Sequence, residues 1–144
     1  MAVNNGTILF HQLMTVTLIN RTRLKDFLRK MIAREGKKLV TIDFIFCSDK
    51  YLQRINKEYL DHDDLTDIIT FELSESGAAL TSEIYISVER VKENAAIFKS
   101  SMQKELHRVM FHGVLHLCGY GDKTAKEKMV MKGKEDQYLQ KYFE

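Results

Sequence analysis

His112-Gly113-Val114-Leu115-His116-Leu117-Cys118-Gly119-Tyr120-Gly121-Asp122 is the stretch around which the rest of the chain is arranged. Two histidines four residues apart lie about 40° apart around a helix axis, so both imidazoles can reach one point. Gly119 readily takes the left-handed conformation that ends a helix, and Gly121 loosens the chain again. The reversal brings the carboxylate of Asp122 back towards the histidines. Two imidazoles and a carboxylate leave coordination positions open, as catalytic metal sites do and structural ones do not. His112, His116 and Asp122 are therefore read as ligands of a catalytic metal, and the chain as a metal-dependent hydrolase. A zinc protease of the HExxH type would carry a general-base Glu at position 113; Gly113 argues against that chemistry.

Working outward, Met102 to Cys118 reads as the helix that bears the site. Leu106, Val109, Met110, Gly113, Val114 and Leu117 form its packing stripe, and the two histidines run along one edge. His107 falls about 140° round the helix from His112 and is read as a surface or packing residue. Cys118 points away at about 200° from His116, so it is not counted as a ligand. Thr124 to Glu127 is a capping box that opens a last helix running towards Phe143, and it holds the loop of Asp122 between two helix ends.

The segment HGVLHLCGYGD closely resembles the signature of the YbeY family of endoribonucleases and rRNA maturation factors, commonly written HGxLHLxGYDH. The third His of that pattern is Asp122 here, and its preceding Asp is Gly121. Asp is a competent zinc ligand, and its oxygen donor also suits Mn²⁺ or Fe²⁺. Asn56, Tyr59 and the run Thr66-Asp67-Ile68-Ile69-Thr70-Phe71 resemble the family's N-x-x-Y-R…P-T-D-V-L-S-F. Leu60 stands where that pattern has Arg, and Leu65 where it has Pro. Ser82-Glu83-Ile84 resembles its G-D-I strand.

The resemblance implies a Zn²⁺-dependent endoribonuclease that prefers single strands. Its expected work is ribosomal RNA processing, at the 3′ end of 16S rRNA, and late ribosome quality control. One zinc per chain is expected, with zinc-bound water as the nucleophile, its pKa lowered to about 7. No separate general base stands out. His62 is a candidate polar replacement for the missing Arg, and Thr66 and Asp67 are candidates for binding substrate. The alternative is a non-catalytic, RNA-binding ribosome-assembly factor whose metal pins the fold. A non-haem iron oxygenase shares the ligand types, but such sites sit in β-rich barrels, and this chain reads as at least half helix.

The remaining segments read as a small α+β domain spanning residues 1–144, with a mixed sheet of about four strands and about five helices. Thr7–Gln12, Leu39–Cys47, Ile68–Leu73 and Ile84–Ser87 are apolar or β-branched strands, and Ser74–Ser82 a polar connection. Asn20 caps a helix whose Leu24, Phe27, Leu28, Met31 and Ile32 keep helical spacing, and Gly36 ends it. Ser48 caps a second helix that turns Leu52, Ile55 and Tyr59 to the core. A third runs from about Val88 to Phe98. Asp61-His62-Asp63-Asp64 reads as a solvated acidic turn.

Composition bounds the partners. A chain of 144 residues with 44% hydrophobic and 29% charged residues is an ordinary globular protein. Its formal charge is only +2, but the first helix and its exit concentrate Arg21, Arg23, Lys25, Arg29, Lys30, Arg34, Lys37 and Lys38 against Asp26 and Glu35. That face suits an RNA backbone, with Arg21, Arg29, Lys37 and Lys38 as candidate contacts. Two cysteines make no disulfide framework, and no leader or membrane-spanning run is seen, so a reducing cytoplasmic setting is expected. Ribosomal RNA and the ribosome are the expected partners; neither a membrane nor a dinucleotide cofactor is expected.

Overall fold

The computed structural model describes residues 6–60, 66–75 and 77–144. His62 and the rest of the acidic turn, with Leu65, lie outside them. Strand β1 (Thr7–Gln12) leads through helix α1 (Arg21–Arg34) to β2 (Lys38–Cys47). Helix α2 (Asp49–Leu60), the hairpin pair β3 (Ile68–Glu72) and β4 (Ala79–Ser87), and helices α3 (Val88–Ile97), α4 (Met102–Leu117) and α5 (Ala125–Phe143) follow. The sheet order is β1-β2-β4-β3, with β1, β2 and β4 parallel and β3 antiparallel to β4. Among the described residues this makes four strands and five helices, the expected α+β fold.

Alternation along the strands assigns the layers. Ile42, Phe44, Phe46, Ile84 and Ile86 meet Leu24, Leu28, Met31, Val109, Met110, Val114, Met131 and Tyr138 in the main core. Cys47, Ile69 and partly buried Tyr85 and Phe71 face the other way, onto Leu52 and Ile55 of α2. Helices α1, α4 and α5 thus share one side of the sheet, and α2 covers the opposite side.

Two expectations change. β4 begins at Ala79, because it pairs with β2 from Lys38↔Ala79 to Cys47↔Ser87. Ser82, read as connection, is strand and 1% exposed, so pairing to a central neighbour outweighs local polarity. Tyr59 is 70% exposed and not a core residue. The buried stripe of α2 is Leu52, Ile55 and Asn56, and at the last turn Tyr59 reaches only the edge of the Phe71 ring.

Gly113 explains how close α4 lies to the sheet. A Cβ there would stand 2.8 Å from Ile68 Cδ1 and 3.2 Å from Ile84 Cγ2. The position facing the strands has no room for a Glu, so a protease-like base is ruled out by packing as well as by composition.

Candidate metal centre and its cavity

The site is built on the last two turns of α4. Ser101 caps the helix start, accepting from the Lys104 amide, and the apolar stripe seats it on β4 and β3. At the other end Gly119, with φ 108°, turns the chain back. The capping box of Thr124 and Glu127 then starts α5, and Glu127 Oε1 also accepts from the amides of Lys123 and Thr124. Asp122 is thereby held between two helix ends. Its Oδ2 lies 3.2 Å from His112 Nε2.

Both imidazoles are oriented through Nδ1. His112 Nδ1 is 2.7 Å from Glu135 Oε2, and His116 Nδ1 is 3.2 Å from the Tyr120 carbonyl. A carbonyl only accepts, so His116 Nδ1 carries the proton and Nε2 keeps the lone pair. The Glu135 carboxylate likewise draws a proton to Nδ1 of His112, whose Nε2 faces Asp122. A backbone carbonyl or carboxylate behind each ring is the usual outer partner of a metal-ligating histidine. Ligands about 2.0–2.1 Å from a tetrahedral ion lie roughly 3.3 Å from one another. The His112–Asp122 separation matches that spacing. The donor types therefore fit a Zn²⁺ ion, although among the described residues no three His, Cys, Asp or Glu side chains form a ready-made cluster around one point.

His112, His116 and Asp122 open into a cavity of about 350 Å³ whose wall also includes Thr66, Asp67, Glu105, Arg108 and Glu135. Thr66 and Asp67, the candidates for substrate binding, line the same cavity as the histidines. Arg21, Arg29, Lys37 and Lys38 do not line it. Arg29 is engaged with Asp26 and the Gly6 carbonyl, and α1 packs its Phe27 on Phe111 and Tyr142. Cys118 is absent from the cavity, and burial pushes its thiol up to about 12. His107 is buried against Tyr142, a packing residue.

The electrostatics of the cavity follow from burial opposed by neighbouring charge. Burial would lower the pKa of His112, but the hydrogen bond and charge of Glu135, with Asp122 and Asp67 nearby, raise it overall. Burial dominates at Asp67 and Glu105 and raises both carboxyls, with His112 opposing it at Asp67 and Arg108 at Glu105.

Sequence reasoning missed Glu105, Arg108 and Glu135. The first two had a signal: Glu105, Arg108, His112 and His116 make a polar stripe down one edge of α4. Glu135 had none, because it reaches His112 from α5, 23 residues along the chain.

The family model "Endoribonuclease YbeY" matches residues 11–143. A Cytophaga hutchinsonii protein named Endoribonuclease YbeY is 46% identical over 122 residues, 85% of either chain. A protein of the same name from Flavobacterium psychrophilum is 48% identical over 114 residues, 79% of this chain and 81% of that one. A solution structure of a Thermotoga maritima protein superposes with a TM-score of 0.65 at 26% identity, covering 95% of this chain and 89% of the other.

Proposed function

Since this chain belongs to the endoribonuclease YbeY family, we propose that its cavity cuts phosphodiester bonds of single-stranded RNA with the help of a Zn²⁺ ion. The observation that carries the reading is the pairing of His112 and His116, each held through Nδ1, with Asp122 3.2 Å from the first. His112, His116 and Asp122 would hold the ion. Bound there, it would supply an acidified water and a Lewis-acid contact for a phosphate oxygen.

The chain's own residues do the positioning. Glu135 and the Tyr120 carbonyl fix the rings, and Arg108 holds Glu135 at 2.9 Å. Thr66 and Asp67 line the same cavity, where they would bear on the substrate. The family resemblance supports the finer reading: ribosomal RNA as substrate, the 3′ end of 16S rRNA as the site of action, a role in late ribosome quality control, and the cytoplasm as location. No helix among the described residues is long and apolar enough to cross a membrane.

Leu60, in place of the family's Arg, favours one rival: a ribosome-assembly factor that binds RNA through the same domain without cutting it. Elemental analysis and RNA cleavage separate the two. The expected result is about one zinc per chain, lost in Asp122→Ala, and cleavage abolished in His116→Ala while folding and RNA binding persist. Cleavage unchanged in His116→Ala would sink the metal mechanism. RNA bound but never cut by the wild-type protein would leave the assembly factor.

A further inference from the structure

A second groove, of about 780 Å³, adjoins the first and shares Glu105, Arg108 and Glu135 with it as a common wall. Its rim carries Lys99 from the α3–α4 turn, Lys104 from the first turn of α4 and Lys132 from α5. All three are exposed, and none is in an ion pair among the described residues. The two carboxylates of the groove are already engaged. Glu135 serves His112 and Arg108, and Glu105 lies buried beside Arg108. The free charge of the rim is therefore positive.

Two further features point the same way. Phe98, 67% exposed, stands on the rim beside Lys99. Lys99 itself adopts φ 53°, a left-handed conformation just beyond the α3 cap where glycine is the usual occupant. The chain keeps a long cationic side chain at a position whose backbone disfavours any Cβ. On α1, by contrast, Arg23 is spent on the Tyr142 carbonyl and ring and Arg29 on Asp26, and none of the α1 cations lines either cavity.

We infer that this groove binds the RNA strand next to the nucleotide being cut, with phosphates on Lys99, Lys104 and Lys132 and a base stacked on Phe98. The inference rests on the reading of the first cavity as an RNA-cutting site. Unpaired lysines along a groove suit a polyanion whose counterions are released on binding. An exposed aromatic face suits an unpaired base of any sequence.

The test is fluorescence anisotropy of a labelled oligouridylate of about a dozen nucleotides, titrated with the full-length protein over a series of salt concentrations. Neutralising the rim in Lys99→Gln/Lys104→Gln/Lys132→Gln should lower the salt slope by about 2, at roughly 0.7 per phosphate contact, and weaken binding about 100-fold at 0.1 M salt. Phe98→Ala should weaken binding roughly tenfold and leave the slope unchanged. Equal affinity and slope in the triple variant and the wild type would overturn the groove and leave the cleavage reading standing. No RNA binding by the wild type would overturn that reading, and the groove with it.

Discussion

His112 Nδ1 and Glu135 Oε2 stand 2.7 Å apart, and the other oxygen of Glu135 takes a 2.9 Å hydrogen bond from Arg108. Helix α5 thus reaches across to orient a ring that α4 supplies. Outer partners of this kind typically contribute 10–100-fold in metal affinity. Glu135→Gln keeps the side-chain length but removes the charge, so Zn²⁺ affinity, read by competition with a chromogenic chelator, should fall about 10–100-fold. The far-UV spectrum should stay unchanged. Unaltered affinity would make Glu135 a structural partner of Arg108 and nothing more.

Gly113 and Gly133 both sit inside helices, yet the same change should move them in opposite directions. A methyl group added at Gly133 would meet nothing within 4 Å among the described residues beyond its own helix backbone, whereas one added at Gly113 would meet Ile68 and fully buried Ile84 at 2.8 Å and 3.2 Å. Gly133→Ala should stabilise by about 0.5–1 kcal/mol through helix propensity. Gly113→Ala gains the same term but overpacks the α4–sheet contact, at a cost of about 1–3 kcal/mol, and should be destabilised. Urea unfolding of the two variants beside the wild type decides it; equal shifts would mean that α4 can lift without penalty.

What is legible in the chain without its structure depends on how local each signal is. Caps at Asn20, Ser48 and Thr124 act within three residues, and all three receive the expected backbone donors. Helical spacing likewise brings out the stripe of α4. The N-terminal part of β4 is hidden, because Ala79 to Ser82 become strand through pairing with β2, joined at Ser82 by β3. The same limit applies to the site. His112, His116 and Asp122 share one short stretch, so a helix and a turn suffice to bring all three to one cavity. Glu135 is brought to His112 by the packing of α5 on α4, which no local pattern encodes. The basic character of α1 is plain in the sequence, but its location is not. Charge along a helix does not say which cavity the helix faces, and α1 turns its apolar side to α4 and α5.

Glu35 ties the site loop to the rest of the fold in a pH-dependent way. Burial would raise its pKa, but hydrogen bonds from Tyr138 and Tyr120 and the Lys134 ammonium outweigh it and hold the carboxyl below its ordinary 4.5. Tyr120 is two residues from Asp122, and its hydroxyl is 2.7 Å from Glu35 Oε1. A folded-state pKa below the unfolded one adds stability that is fully present above the unfolded pKa and lost as pH falls through the folded one. The stability gap between wild type and Glu35→Gln should therefore be constant near neutrality and shrink progressively below about pH 4.5. Urea midpoints measured from pH 7 down to about pH 3 check this. A gap that widened on acidification would reverse the assigned sign.

His107 carries the opposite kind of titration. It is 1% exposed, its Nδ1 donates to the Gln103 carbonyl at 2.6 Å, and its Nε2 is buried with no hydrogen-bond partner among the described residues. The ring stacks on Tyr142 at 5.0 Å and meets the edge of Phe143 at the same distance. Burial is the main reason that its pKa falls below 6.5, with the Arg23 charge adding to it. As pH drops below 6.5 the unfolded chain binds a proton that the folded one refuses, so the wild type loses stability there. Phenylalanine keeps the ring contacts and removes both the orphan nitrogen and the titration. His107→Phe should thus stay within about 1 kcal/mol of the wild type at pH 7.5. Its advantage should then grow by up to about 1.4 kcal/mol per pH unit below 6.5 until the folded histidine also protonates. Thermal or urea unfolding of both proteins at pH 7.5 and pH 5.5 measures the difference, and parallel pH profiles would show that His107 titrates alike in the folded and unfolded chains.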